Sequence, residues 1–209
     1  MITGIVMAAG LSRRMGVNKL LLCIDNTPLI IRTLRIIEKS RLQQLIVVYS
    51  DPAVLEVIKD YEKARTHGQI SNMEIKRVYN GQPARGQSES VKSGMYESDP
   101  GSKGYMFFVA DQPFLNHQVI NQIINTFTEN PEHIVVPLYN RERGMPIIFP
   151  GKYRLDLLGV SGDKGGRSII DQNAKGTIFL PIADPKIGED MDTIEDYEKV
   201  CKIDSERRM

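Results

Sequence analysis

The sequence predicts an α/β domain in which a mostly parallel sheet carries helices on both faces. Three observations support this expectation. Short β-branched apolar runs alternate along the chain with segments of helical periodicity. The runs are apolar at consecutive positions, as strands covered on both faces are. Strand–helix–strand connections of this length form right-handed units whose strands lie parallel.

Ile2 to Met7 is the first such run, and it stops at Ala8-Ala9-Gly10. Thr27-Pro28 reads as an N-cap followed by proline at the first helical position. Leu29, Ile30, Leu34 and Ile37 give that helix its apolar face. Leu45 to Tyr49 is a second buried strand, followed by an amphipathic segment with Val54, Leu55 and Ile58. Met73 to Tyr79 is a third. Ser88 is placed to cap a helix whose Val91 and Met95 face the core. Tyr105 to Ala110 is a further strand, halted by Asp111-Gln112-Pro113. Asn116 caps a helix carrying Val119, Ile120, Ile123, Ile124 and Phe127. Ile134 to Pro137 and Met145 to Phe149 complete the predicted strands. No repeat, low-complexity tract or linker interrupts the pattern, so residues 1–209 read as one domain.

Composition excludes several classes of function. Lys and Arg number 27 against 26 Asp and Glu, so no basic excess marks a nucleic-acid partner. The apolar fraction of 41% suffices for one large core. Cys23 and Cys201 stand alone, with neither disulfide-framework nor zinc spacing. Cys23, inside Leu20-Leu21-Leu22-Cys23-Ile24, is expected to be a small buried hydrophobe. His67, His117 and His133 fall in unrelated segments and read as surface or capping residues. With no leader-like segment and no membrane-length apolar run, the expectation is a soluble cytoplasmic protein.

In sheets of this kind, ligands bind beyond the carboxyl ends of the strands. Functional residues are therefore expected just after Met7, Tyr79 and Ala110. The first of these places holds Ala8-Ala9-Gly10-Leu11-Ser12-Arg13-Arg14-Met15-Gly16-Val17-Asn18-Lys19. Its small residues let backbone N–H groups approach phosphate oxygens, and Arg13, Arg14 and Lys19 supply charge for a polyanion. The spacing fits neither a Walker A loop nor a dinucleotide fingerprint. After the strand that ends at Ala110, Asp111 is placed to project a carboxylate into the crevice. Magnesium takes one or two such carboxylates together with substrate phosphates.

This loop resembles the L-A-A-G-x-S-x-R-M-G-x-x-K signature of the MobA-like NTP transferase family, and most closely its molybdenum cofactor cytidylyltransferases. Met7 replaces the usual leucine. The resemblance runs over roughly residues 2 to 197 and implies a Rossmann-like three-layer sandwich of the nucleotide-diphospho-sugar transferase type. It implies catalytic roles for Lys19, Arg14, Arg13 and Asp111, with Ala8, Ala9, Gly10, Ser12 and Ala110 around the nucleotide. Gly86-Gln87-Ser88 resembles the family's loop that contacts base and ribose. Gly188 to Tyr197, with five carboxylates in ten residues, resembles its D-[I/V]-D-T-P-E-D stretch, with Ile194 in place of proline. That stretch supplies metal-binding Asp190 or Asp192, and the sequence leaves the choice open. Gly144, Met145, Lys164 and Arg167 fall in segments that the family places around the acceptor, and Met145 stands where a polar residue is usual.

The implied reaction is magnesium-dependent transfer of a nucleotidyl group, CMP from CTP, to a phosphorylated acceptor of the molybdopterin type, with release of pyrophosphate. A sugar- or polyol-phosphate acceptor is the alternative within the class. Outside it, the alternative is a non-catalytic chaperone that delivers cofactor to a molybdenum hydroxylase.

Overall fold

The computed structural model describes residues 1–12, 15–68, 73–162 and 165–206, apart from the side chains of 66–68. The chain begins with β1 (Ile2–Ala8), followed by a two-residue hairpin of β2 (Cys23–Ile24) and β3 (Thr27–Pro28). Then come α1 (Leu29–Glu38), β4 (Gln44–Tyr49), α2 (Pro52–Gly68), β5 (Glu74–Tyr79), α3 (Gln87–Glu97) and β6 (Gly104–Val109). The second half holds α4 (His117–Glu129), β7 (Ile134–Tyr139), β8 (Glu142–Arg143), β9 (Ile147–Pro150), α5 (Arg154–Leu158), α6 (Arg167–Gln172), β10 (Thr177–Ile182) and α7 (Ile194–Glu206).

The main sheet has the order β10-β7-β9-β6-β1-β4-β5, with β8 paired to β7. β1, β4, β5 and β6 run parallel, as do β7 and β10, whereas β9 runs antiparallel between β6 and β7. This is the mostly parallel α/β sheet expected from the apolar runs.

Period-two alternation sorts each central strand between the two faces. Val6, Val47, Met106 and Phe108 pack with the apolar stripes of α1 and α4 and with Val200 of α7. Ile5, Ile46, Val48 and Phe107 pack with Val91 and Met95 of α3, Leu157 of α5 and Ile169 and Ile170 of α6. α3 lies close enough to β1 that a Cβ on Gly94 would stand 2.5 Å from Ile5 Cγ2. Among the described residues, no helix is long and apolar enough to cross a membrane.

Several local expectations need correction. Thr27 does not cap α1: with Pro28 it pairs against Cys23 and Ile24, and the helix starts at Leu29 without a side-chain cap. Cys23 is exposed because the short hairpin turns its side chain outward from the core. Ser88 is not the cap of α3, since Gly86 holds that position. Met145 precedes the strand that begins at Ile147. Asn116 does cap α4, its side-chain oxygen accepting from Val119 N–H at 3.0 Å.

Candidate active site

Strand register brings the loops together. Met7 lies opposite Val109, Ala8 opposite Tyr49, and Tyr49 opposite Tyr79, so β1, β4, β5 and β6 end at one level. The segments after them open into a common crevice, where the sequence predicted the functional residues.

Lys19 occupies the centre. Asn18 caps the short turn Lys19–Leu21 by accepting from Leu20 N–H at 3.1 Å, and its amide donates to Asp51 at 2.7 Å. Ser12, at φ 45°, accepts from Lys19 N–H at 3.2 Å. Held in this way, the Lys19 ammonium lies 2.5 Å from Asp111 Oδ2 and 2.8 Å from Asp192 Oδ1. Burial pulls its pKa down, but the carboxylates, Asp111 foremost, reverse this and hold it above the ordinary lysine value. The other oxygen of Asp111 is buried and has no hydrogen-bond partner among the described residues.

The C-terminal carboxylates are tied to this point through backbone. Met191 N–H donates to the Asp111 carbonyl at 2.9 Å. Thr193 and Asp196 form a reciprocal cap on α7. The Thr193 hydroxyl accepts from Asp196 N–H at 3.1 Å, and the Asp196 carboxylate accepts from Thr193 N–H at 2.9 Å and Asp192 N–H at 3.1 Å. Hydrogen bonding to its carboxylate, from the Thr193 side chain first and then from the Asp192 and Thr193 backbone, holds the Asp196 pKa below the usual carboxylate value. Thr193 thereby caps α7, which begins at Ile194. The Asp192 side chain meets Lys19.

Asp190 lies elsewhere in the crevice. Its side chain accepts from Gln112 Nε2 at 3.1 Å, and the same amide nitrogen donates to the Gly188 carbonyl at 3.1 Å. Asp190 sits in a concavity, with its side chain exposed to solvent yet crowded by protein. Desolvation, reinforced by the neighbouring Asp111 charge and opposed by the Gln112 hydrogen bond, pushes its pKa up to about 6.

Two cavities divide the crevice. The smaller, of 470 Å³, is lined by Ala9, Gly10, Ser12, Lys19, Asp111 and Asp192, and also by Gly86 and Ala110. The larger, of 840 Å³, has Gly144, Met145, Arg167, Asp190 and Gln112 in its walls above an apolar base that includes Phe107, Ile147 and Phe149. Met7, Gln87 and Val109 line both and so mark the threshold between them. Gly86, at φ 101°, adopts a backbone conformation that favours glycine and starts α3 with no side-chain cap at this threshold.

The predicted residues thus fall into a smaller, more polar chamber and a broader, partly apolar one. Ala8 is buried within β1, and Ser88 is buried with a hydroxyl that has no partner among the described residues; neither lines either of these two cavities. Arg13, Arg14 and Lys164 lie outside the described residues.

Two contributors escaped sequence reading. Gln112 is almost fully buried and anchors Asp190; its place in Asp111-Gln112-Pro113 was the available signal. Tyr139 lines the larger cavity, donates to the Met145 carbonyl at 2.8 Å, and has its ring against both Gly144 and Gly188. Burial raises its hydroxyl pKa. Those glycines were its signal, because a Cβ at Gly144 or Gly188 would lie 2.4 or 2.3 Å from Tyr139 Cδ2.

Residues 4–177 match the family model described as the MobA-like NTP transferase domain. The chain belongs to that family. Membership makes it a nucleotidyltransferase by descent, and it agrees with Lys19 standing beside Asp111 in one crevice. Among its relatives, the purine catabolism protein PucB of Bacillus subtilis is 29% identical over 200 residues, covering 94% of each chain. The 2-C-methyl-D-erythritol 4-phosphate cytidylyltransferase of Alkaliphilus metalliredigens is 26% identical over 141 residues, 66% of this chain and 56% of that one. A crystal structure of the Rv0371c homologue from Mycobacterium sp. strain JC1 superposes with a TM-score of 0.77 at 28% identity, covering 98% of this chain and 97% of the other. The fold is that of this structural class.

Proposed function

We propose that this chain acts as one domain to transfer the CMP group of CTP to a phosphate of a molybdopterin-type acceptor. The observation that carries the reading is the pair of cavities sharing the Met7–Gln87–Val109 threshold, with Lys19 and Asp111 on the smaller side. The smaller chamber suits a triphosphate. The larger, at 840 Å³ with an apolar base, suits a fused-ring acceptor better than a compact sugar or polyol phosphate. The cytidylyltransferase relative supports the choice of CTP.

The donor set fits a magnesium ion. Asp111 offers a buried carboxylate oxygen without a partner among the described residues, and Asp192 offers a second hard oxygen beside it. Asp190 faces the acceptor chamber and would reach the metal from that side. Among the described residues no group of three or more acidic, histidine or cysteine side chains could hold a metal ion by itself, so phosphate and water oxygens would have to complete the coordination. Bound there, magnesium would neutralise triphosphate charge and bring the two phosphates together.

The protein's own residues do the remainder. An acceptor phosphate oxygen, already anionic at neutral pH, attacks the α-phosphorus. A new P–O bond forms, the bond to the bridging oxygen breaks, and pyrophosphate leaves with the electron pair. Lys19, together with Arg13 and Arg14, offsets the charge on that leaving group. The backbone at Ala9 and Gly10 borders the nucleoside, and Gln87 and Ser90 stand at the opposite wall. Arg167, with Lys164, holds the acceptor phosphate beside Gly144 and Met145.

A second reading is favoured by the name of the Bacillus subtilis relative, which speaks of catabolism and not of transfer. In that reading the chain delivers a cofactor to a molybdenum hydroxylase. Incubating the protein with Mg²⁺, each NTP and either molybdopterin or a polyol phosphate, and measuring pyrophosphate, separates the readings. Release with CTP and molybdopterin is expected. Silence in every combination would refute transfer and leave delivery.

A further inference from the structure

Tyr139 ends β7 in the wall of the larger cavity and is only 7% exposed. Beyond it the chain reverses through Asn140 and Arg141, both at positive φ, and returns as β8 with Glu142 opposite Tyr139. The returning segment is pinned twice. Gly144 N–H donates to the Pro137 carbonyl at 3.0 Å, and the Tyr139 hydroxyl donates to the Met145 carbonyl at 2.8 Å. The Tyr139 ring also meets a second segment. Its Cδ2 atom faces Gly144 and Gly188 alike, so both glycines pack on one ring edge. Gly188 in turn gives its carbonyl to Gln112 Nε2, the nitrogen that also holds Asp190. The acceptor segment and the acidic segment are therefore joined at one side chain.

The transfer chemistry asks for no phenol at this place. The hydroxyl is committed to a backbone carbonyl, and burial holds its proton more firmly than on an ordinary tyrosine. It serves geometry and not proton transfer.

We propose that Tyr139 is a positioning residue that sets acceptor specificity, by holding the Met145 and Gly188 segments of the acceptor chamber in one fixed relation. This assignment rests on the transferase reading and adds the residue that discriminates among acceptors. A wall already ordered before binding spares the ligand the entropy of ordering it. A fused-ring acceptor that fills the 840 Å³ chamber gains from that order, whereas a compact polyol phosphate touches less of the wall and gains little. The ring acts on the acidic side as well. Without it, Gly188 loses its backing, and the Gln112 bonds that hold Gly188 and Asp190 loosen together.

Two variants test the two contacts separately. Tyr139→Phe keeps the ring and removes the donor. It should raise the KM for molybdopterin about fivefold, the worth of one hydrogen bond, and leave the KM values for CTP and for a polyol phosphate unchanged. Tyr139→Leu removes the ring too and should also raise the half-saturating Mg²⁺ concentration several-fold, through Asp190. Amide hydrogen exchange follows the same contacts without any substrate. Exchange at Gly144 N–H should quicken in both variants. At Met191 N–H, which donates to the Asp111 carbonyl, it should quicken only in Tyr139→Leu, and at Lys19 N–H in neither. Should the leucine variant fail to fold, the phenylalanine variant decides alone. An unchanged molybdopterin KM in Tyr139→Phe, or an equal rise for both acceptors, overturns the proposal. A wild-type chain that transfers no nucleotide refutes the transferase reading instead, and exchange at the three amides still decides whether Tyr139 joins the segments.

Discussion

Replacing Lys19 with methionine keeps the aliphatic stem and removes only the ammonium. In the folded chain that ammonium bridges Asp111 at 2.5 Å and Asp192 at 2.8 Å, with the lysine side chain 12% exposed and the carboxylates 21% and 33% exposed. A hydrogen bond to a charged group contributes about 1.5–3 kcal/mol when buried, and partial exposure of the carboxylates discounts the pair to about 2 kcal/mol in total. In a chain of this size that lowers the melting temperature by about 4–8 °C. Loss of a group aimed at transition-state charge costs far more in rate, about 10²–10³-fold. The two losses are thus of different kinds. A third quantity separates them further: without the competing ammonium, Asp111 and Asp192 should bind Mg²⁺ more tightly in the absence of nucleotide. Pyrophosphate release, thermal melting and isothermal titration with Mg²⁺ measure the three. An unchanged rate, or weaker metal binding in the variant, would refute the idea that Lys19 shares these carboxylates and serves the triphosphate.

Other perturbations address the remaining parts of the site. Because folding raises the Asp190 pKa to about 6, protonation favours the folded state, and this group's contribution grows as pH falls through 6 and levels off below its unfolded value. Asp190→Asn should therefore be the more stable protein at pH 7.5, lose about half of that margin by pH 5 and the rest below about pH 4, which melting curves across pH will check. Gly188→Ala places a methyl 2.3 Å from the Tyr139 ring and should cost about 1–3 kcal/mol by overpacking, read as a lower urea midpoint. Arg167→Ala should raise the acceptor KM about tenfold or more, from one lost charge-assisted contact, and leave the KM for CTP unchanged in steady-state assays.

Much of this architecture could be read from the residues because its causes are local. Ile5 and Val6, or Phe107 and Phe108, are neighbours in sequence that face opposite cores, so a strand apolar at every position had to be covered twice. Lys19 and Asp111 were legible for a similar reason, since each follows a buried strand at the end where ligands bind. Local signals failed where tertiary contacts decided the outcome. Thr27-Pro28 has the composition of a helix start, but pairing with β2 claims it. Ser88 has the chemistry of a cap, yet Gly86 turns the chain first. β10 went unread because Thr177–Ile182 is only partly buried at an edge of the sheet and lacks a continuous buried run. The division of labour among Asp111, Asp190 and Asp192 depends on Gln112 and on a backbone bond from Met191, neither of which has a sequence signature.

The direction of β9 has a consequence for how this scaffold can diversify. Its insertion holds the ends of β6 and β7 two inter-strand spacings apart, roughly 9–10 Å, and its first residue, Ile147, together with Met145 just before it, lines the slot so created. The breadth of that slot is fixed by sheet geometry, and its chemistry by a few side chains that touch neither Lys19 nor Asp111. New acceptors can therefore be accommodated by repaving one short stretch while the machinery that handles the triphosphate stays as it is.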